Sequence, residues 1–406
     1  MIVVVGAGAA GITAARRLHD FHRDVLLVEA SDRIGGRARS ATLDLPSGAA
    51  VTVDLGCGWL HSARRNPWTR IAEASGCAVD RSDPGWGSQW RNLGFPPMEQ
   101  AASGAAFERW NKAARAAANG PDRPLSDFAQ PDDPWRPMLD AISGYVSGVP
   151  LAEVSLHDWA AYDDADTADN WTVREGYGNL VASHAAGLPV RLQTPVTRID
   201  RRGRTLRLDT PAGAIEADRV VVAVPTTALA TGALVFDPPL LDKQAAAADL
   251  PLGLADKAFL AVEGPEWPAN RHLTGNPHTA ITASHRLSPF GWPLIESFFG
   301  GRAAESLTEG DAAQFAIDEL VALLGTGWRR RLAPLAVTRW RLEPGIAGSY
   351  SHARVGASGA RARLAEPVEE RIFFAGEACS ATDFSTAHGA YLTGFAAAEA
   401  IVSGSA

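Results

Sequence analysis

The chain has 406 residues, of which 46% are hydrophobic and 21% charged, with a net charge of −8 and a pI near 5.7. Such a length and composition describe a globular protein with a large core and two or three domains. The acidic balance lacks the basic stripe that nucleic-acid backbones demand, which argues against nucleic acid as a partner. A mildly acidic field favours cationic small molecules, weakly at physiological salt.

The first strand is expected to start at Ile2, so no secretory leader is expected ahead of it. Arg16-Arg17 falls inside the first predicted helix and is no twin-arginine signal, and no apolar run reaches the eighteen or so residues of a membrane span. Cys57, Cys77 and Cys379 are odd in number and lack metal-ligand spacing. They read as reduced thiols, so a cytoplasmic protein without a metal site is expected.

In chain order, Val3-Val4-Val5 runs straight into Gly6-Ala7-Gly8-Ala9-Ala10-Gly11, followed by helical spacing from Ile12 to His19 and a second apolar run, Val25 to Val28, that ends in Glu29. This is strand, glycine turn, helix, strand. Gly6 permits the turn, Gly8 removes the Cβ that would block a pyrophosphate, and Gly11 lets the helix pack close to the strand. The helix start, with Ala10 in its first turn, offers unpaired N–H groups to phosphates. Glu29 stands where a carboxylate can accept the ribose hydroxyls of an adenosine. The stretch is a dinucleotide site. After Glu29 the chain reaches Gly35-Gly36-Arg37, a second glycine pair and a guanidinium fork suited to another phosphate approach.

At this point the sequence resembles the flavin-containing amine oxidases, whose fingerprint runs from G-x-G-x-x-G through the acid into G-G-R. The resemblance implies FAD bound in extended form. It also implies an α/β fold, a discontinuous Rossmann-type FAD-binding domain beside an α+β substrate domain. The segment Asp54-Leu55-Gly56-Cys57-Gly58-Trp59-Leu60-His61, with Asn66-Pro67 following, is similar to the family's D-L-G-x-x-W-I-H. By that likeness Gly58 and Trp59 line the flavin and His61 stands in the active-site wall; on its own, His61 reads as a surface or satisfied core histidine.

From Ile71 to about Trp171 the texture is alanine-rich and helical (Gln100 to Asn119, Trp135 to Val146) with Pro/Gly/Asp loops and scattered tryptophans, and Asp163-Asp164-Ala165-Asp166 reads as a solvated loop. Glu175-Gly176-Tyr177-Gly178-Asn179-Leu180 and the strand through Val196 are similar to the family's G-G-Y-G-x-L and V-x-x-I, with Glu175 in place of the first glycine. The likeness implies that the Val196 backbone holds the adenine edge. A hairpin (Thr205 to Asp209, Ala214 to Ala217) and the apolar strand Val220 to Val224 return the chain to the FAD domain.

Leu250 to Val262 resembles the family's L-x-x-G-x-x-x-K strand, which implies that Lys257 reaches through a water toward the flavin N5; by spacing alone it is an exposed strand-end lysine. Strands over Thr279 to Ser284 and Leu294 to Phe299 and a helix from Asp311 to Leu324 follow. Thr338-Arg339-Trp340 and Gly348-Ser349-Tyr350-Ser351 look like the family's T-x-W and G-S-Y-S. Monoamine oxidases carry their flavin-linking cysteine here, so noncovalent FAD is expected. By the same likeness Gly376 and Glu377 meet the phosphate and ribityl chain, and N–H groups near Ala387 meet flavin N1 and O2. Thr386 stands where monoamine oxidases place a cage tyrosine, which brings the T-x-H-G-A stretch closer to polyamine oxidases.

The expected protein is therefore an FAD-dependent amine oxidase that passes electrons from a small-molecule amine to O2, with Lys257 and His61 as candidate catalytic groups. A related desaturase or amino-acid oxidase, or a low-turnover flavin-binding partner protein, are the alternatives. The expected FAD domain comprises residues 1–70, 187–250 and 331–406, and the substrate domain residues 71–186 and 251–330.

Overall fold

Four β-branched residues, Ile2–Val5, are buried on both faces and form the centre of a five-stranded parallel sheet. Val25–Val28 and Val190–Arg191 lie on one side of that strand, Arg219–Val222 and Ile372–Phe374 on the other. The order reverses at the central strand, so the crevice at its carboxyl end, where Gly6 and Gly8 sit, is the switch point at which ligands bind such sheets. The structure is a computed structural model that describes residues 1–308 and 310–404. Glu309 of the expected segment 251–330, and residues 405–406 of 331–406, lie outside the described residues.

The helix Ala9–Asp20 packs against the C-terminal helix Ala387–Ser403. The approach is so close that a Cβ on Gly394 would lie 2.1 Å from the Ala10 carbonyl oxygen. Trp68, fully buried, sets its edge against Tyr177 and Tyr391 and donates its indole N–H to the Ala387 carbonyl at 3.0 Å. It ties three distant segments together, and its loss would cost about 3–5 kcal/mol.

A second, antiparallel sheet has the order Arg271–Thr274, Ser284–Leu287, Leu294–Gly300, Ala255–Val262, Leu332–Val337. One face is covered by the helix Ala312–Leu324, whose Glu319 meets the buried His285 at 3.2 Å. The other face carries Lys257, Glu296 and Arg286. The helices Pro97–Ala117, Arg136–Ser147 and Leu156–Ala165 enclose a separate core around Trp110, Leu125, Leu139 and Leu156.

Four expectations are corrected. Leu332–Val337 pairs with Ala255–Val262, so the substrate-side sheet extends past residue 330. Val173, Tyr177, Leu180 and Val181 pack with Ile12 and Trp68 in the nucleotide-side core, so the segment before residue 187 adheres to that half. The strand expected at Thr279 to Ser284 begins at Ser284, after a turn held by Glu319. Asp163 and Asp164 close a helix rather than a loop, and both pair with Arg115.

Candidate active site

The turn after the central strand leaves no space for side chains. Gly6 has φ +100°, a Cβ on it would lie 2.5 Å from the Ala223 carbonyl oxygen, and a Cβ on Gly11 would lie 1.8 Å from that of Gly6. At Gly8 the reverse holds: a Cβ would project into open space, and no side chain caps the helix that starts at Ala9. Uncapped first-turn N–H groups beside open space make a cradle for phosphate. The second glycine pair closes it. Gly35 donates to the Ala7 carbonyl at 2.7 Å, and a Cβ on Gly36 would sit 3.2 Å from the Gly8 Cα.

Glu29 accepts from the Ala7 N–H at 2.7 Å and from the Ser31 N–H and hydroxyl at 2.9 and 2.8 Å. The carboxylate is thus oriented in advance, with one of its roughly four acceptor positions left over; gripping both ribose hydroxyls requires Ser31 to give way. Val196 is buried, and neither its N–H nor its C=O takes a partner among the described residues. These groups suit an adenine dinucleotide.

Arg37 and Glu377 meet each other. Arg37 Nη1 donates to Glu377 Oε1 at 2.8 Å and to the Ser349 carbonyl at 2.6 Å. Glu377 accepts further from the Ser351 hydroxyl at 2.6 Å and the Ser385 N–H at 2.9 Å. Burial would raise its pKa, but Arg37, Ser351 and Arg361 together hold it below the usual carboxylate range. Glu377, expected to touch the cofactor, spends its carboxylate on protein donors, because a buried carboxylate is costly unless it is paired. Arg37 keeps Nε and Nη2 without a partner among the described residues. At Gly376 a Cβ would enter open space. Ala387 opens the C-terminal helix behind Thr386, whose hydroxyl accepts from the Gly389 N–H at 3.0 Å.

On the sheet side, Lys257 is 6% exposed. Its Nζ donates to the Asp54 carbonyl at 2.8 Å and pairs with Glu296 at 2.8 Å, and a Cβ on Gly58 would lie 3.2 Å from it. Lys257, Gly58, Trp59, Glu296 and Arg286 line a cavity of about 20 Å³, room for one water. The Asp54 carboxylate, whose pKa burial raises, accepts the Tyr177 and Gly178 N–H groups at 3.0 Å and so fixes the helix Tyr177–Ser183. Asp256 takes the Trp340 N–H at 2.9 Å and the Thr338 hydroxyl at 2.8 Å, and Trp340 donates its indole N–H to the Leu55 carbonyl at 3.1 Å. The T-x-W stretch is thereby clamped between the Lys257 strand and the Gly56 loop.

His61 does not join Lys257. Its Nδ1 lies 2.6 Å from Asn170 Oδ1, and Asn170 Nδ2 donates to the Ala168 carbonyl, which fixes the amide and leaves His61 Nε2 as an acceptor. Burial lowers its pKa, so the ring is neutral near pH 7. It stacks toward Trp86, 45% exposed, which meets Trp59 edge-on. A larger open cleft of about 530 Å³, with Asp133, Arg136, His278 and Arg302, touches none of these residues. The Tyr350 hydroxyl donates to the Tyr145 carbonyl at 2.7 Å, and burial pushes the Cys57 thiol up to about 12.

The sequence model of the family described as flavin containing amine oxidoreductase matches residues 9–115 and 122–402. The chain belongs to the flavin-containing amine oxidoreductases. It is 30% identical over 443 residues to polyamine oxidase 2 of Arabidopsis thaliana, covering 98% of this chain and 87% of that protein. It is 26% identical over 440 residues to lysine-specific histone demethylase 2 of Homo sapiens, of whose length the match spans only 52%. A solved double mutant of a putrescine oxidase, redesigned in its cofactor binding, superposes with a TM-score of 0.78 at 17% identity, over 99% of this chain and 98% of that one. Membership makes the chain an FAD-dependent oxidoreductase acting on amines, and the fold is the two-domain architecture of that structure.

Two residues of this amine oxidoreductase escaped the sequence reading. Glu296 carries its charge on a short, largely apolar strand, Leu294–Gly300, and a lone charge in such a strand is the signal that could have found it. Arg286 lies in Ser284–Leu287, a polar strand of sequence Ser-His-Arg-Leu that carries no such signal.

Proposed function

We propose that the chain holds FAD noncovalently and oxidises a small-molecule amine to an imine, with O2 as electron acceptor and H2O2 as product. When bound, FAD supplies the hydride-accepting and O2-reducing chemistry. The observation that carries the reading is the uncapped helix start beside the open space at Gly8, on the same chain as a buried lysine against Gly58. Gly8, Ala10 and Gly11 present phosphate-binding N–H groups behind the turn that Gly6 makes, its own N–H being held by the Val28 carbonyl, Glu29 takes ribose, Val196 the adenine edge, and Arg37 and Gly36 the second phosphate approach. Gly58, Trp59, Trp340, Gly376 and Ala387 line the ring system, with Glu377 setting Arg37. Lys257 keeps a donor on the single-water cavity, and His61 offers a neutral acceptor nearer the exposed Trp86. Unpaired Cys57, Cys77 and Cys379 support a cytoplasmic setting.

The test is amine-dependent peroxide release by purified protein, read beside the flavin spectrum. Free FAD is expected in the supernatant after heat denaturation. Flavin retained on the precipitated polypeptide refutes the noncovalent assignment, and failure of every amine to bleach the flavin refutes the reaction.

A further inference from the structure

Arg286 is the charged group of the cavity that the amine-oxidase chemistry leaves unused. On the sheet it stands directly across from Glu296, which stands across from Phe259, two residues from Lys257. With side chains alternating along strands, Arg286, Glu296 and Lys257 share one face. Glu296 pairs with Lys257. Among the described residues, no carboxylate lies within salt-bridge distance of Arg286. Its Nη2 donates to Asn270 Oδ1 at 2.9 Å and weakly to the Thr172 hydroxyl at 3.4 Å, while Nε is buried without a partner. Asp80 stays one residue away, bonded to Asn270 at 2.8 Å. Trp59 and Phe290 hold the guanidinium carbon 4.8 and 5.2 Å from their ring centres.

A guanidinium fixed by two rings and one amide, with a buried N–H unmatched, is costly unless a counter-charge stands close by. Its Nη1 takes no partner among the described residues and is not one of the buried unpartnered atoms, so that edge of the planar fork can meet an anion, and a carboxylate suits it. Neither acid that lines the cavity is left over for a second cation: Glu296 is taken by Lys257, and Asp54 by the Tyr177 and Gly178 N–H groups. We infer that Arg286 is a carboxylate-recognition residue and that the substrate is an amine that also bears a carboxylate, of the amino-acid class, rather than a polycation. This rests on the amine-oxidation reading above and narrows it. In such a substrate the carbon beside nitrogen gives up hydride, the nitrogen gives up a proton, the two electrons pass by way of FAD to O2 with two protons to form H2O2, and water hydrolyses the imine to a carbonyl compound and an amine or ammonia. The carboxylate is unchanged.

The test compares decarboxylation-matched pairs on the holoenzyme: ornithine with putrescine, phenylalanine with phenethylamine, 5-aminopentanoate with butylamine. For at least one pair the carboxylate-bearing partner should be at least tenfold better in kcat/KM, and that ratio should fall at least tenfold in Arg286→Met. Benzoate, which cannot be oxidised, should perturb the flavin spectrum of the wild type and bind at least tenfold more weakly to Arg286→Met. Arg286→Lys, which keeps the charge and loses the fork, should fall between the two, and it carries the comparison if the methionine variant does not fold. Ratios and benzoate affinity unaltered by either substitution would overturn the assignment while leaving amine oxidation intact. If no amine of either kind reduces the flavin, the amine-oxidase reading falls, and benzoate binding alone decides whether Arg286 is an anion site.

Discussion

Replacing Lys257 by methionine separates what that residue does for the fold from what it does for the flavin. Methionine keeps most of the apolar stem but removes the ammonium, which pairs with Glu296 at 2.8 Å and donates to the Asp54 carbonyl. Glu296, whose side chain is 15% exposed, is then left without its cation. Breaking a buried pair costs about 3–5 kcal/mol, and the lower end applies here because Arg286, directly across the sheet, offers a second cation. At roughly 2 cal/mol/K of unfolding entropy per residue, about 3 kcal/mol lowers the Tm of a 406-residue chain by about 3–4 °C. The double variant Lys257→Met/Glu296→Gln should recover most of that loss, because the stranded carboxylate is gone. The flavin chemistry should stay impaired in both. Lost stabilisation of about 1.4–4 kcal/mol beside the flavin corresponds to a ten- to thousandfold slower half-reaction, and reoxidation by O2 is the step expected to suffer. FAD should remain bound, since the cradle at Gly8, Glu29 and Val196 is distant in the chain and untouched. Thermal melts and stopped-flow measurements of anaerobic reduction and of reoxidation check the two claims separately. Half-reactions at wild-type rates in a folded, FAD-loaded variant would reduce Lys257 to a structural lysine.

Three further outcomes are expected. Glu29→Ala should weaken FAD binding by about 1.5–3 kcal/mol with no direct effect on chemistry, measurable by titrating apoprotein; an unaltered affinity counts against its place at the ribose. Gly11→Ala should fail to hold FAD, because its Cβ would lie 1.8 Å from the Gly6 carbonyl oxygen, and a yellow, normally stable variant would disprove the close helix–strand contact. His352 is buried with Nδ1 unpartnered, and burial depresses its pKa to about 4. Its contribution is therefore whole above the unfolded value of 6.5 and is lost as pH falls toward 4, about 2 kcal/mol by pH 5. His352→Gln should show a smaller drop in Tm between pH 7 and pH 5 than the wild type, and equal drops would refute the linkage.

The legible parts of this molecule are those whose physics is local. Strand, glycine turn, helix and acid follow one another within Ile2 to Glu29, so each residue's job is set by its neighbours in sequence, and the Gly6, Gly8 and Gly11 geometry can be read from types and spacing. Thr338-Arg339-Trp340 was visible as a pattern, but its cause was not, because the Asp256 carboxylate that takes the Trp340 N–H lies 84 residues away. The sequence groups residues 331–406 with the FAD half, whereas Leu332–Val337 pairs with Ala255–Val262 on the other sheet. Pro334 weakens the strand signal, yet here it sits on the sheet's edge beside a register shift opposite Phe259 and Leu260, where a missing N–H is tolerated.

Glu296 and Arg286 mark the deeper limit. Their meeting with Lys257 depends on the register of three strands, and a slip of one residue would send either charge to the opposite face. Lys257 itself was read from its flanking pattern as a residue facing the flavin through water. The structure adds that its ammonium is already shared between a carboxylate and a backbone carbonyl, so at most one of its three donors is free for that water. A lysine held in this way cannot swing to follow a substrate. It presents one fixed donor, and the charge recognition left in the cavity falls to the guanidinium across the sheet, itself held by Trp59, Phe290 and the Asn270 amide.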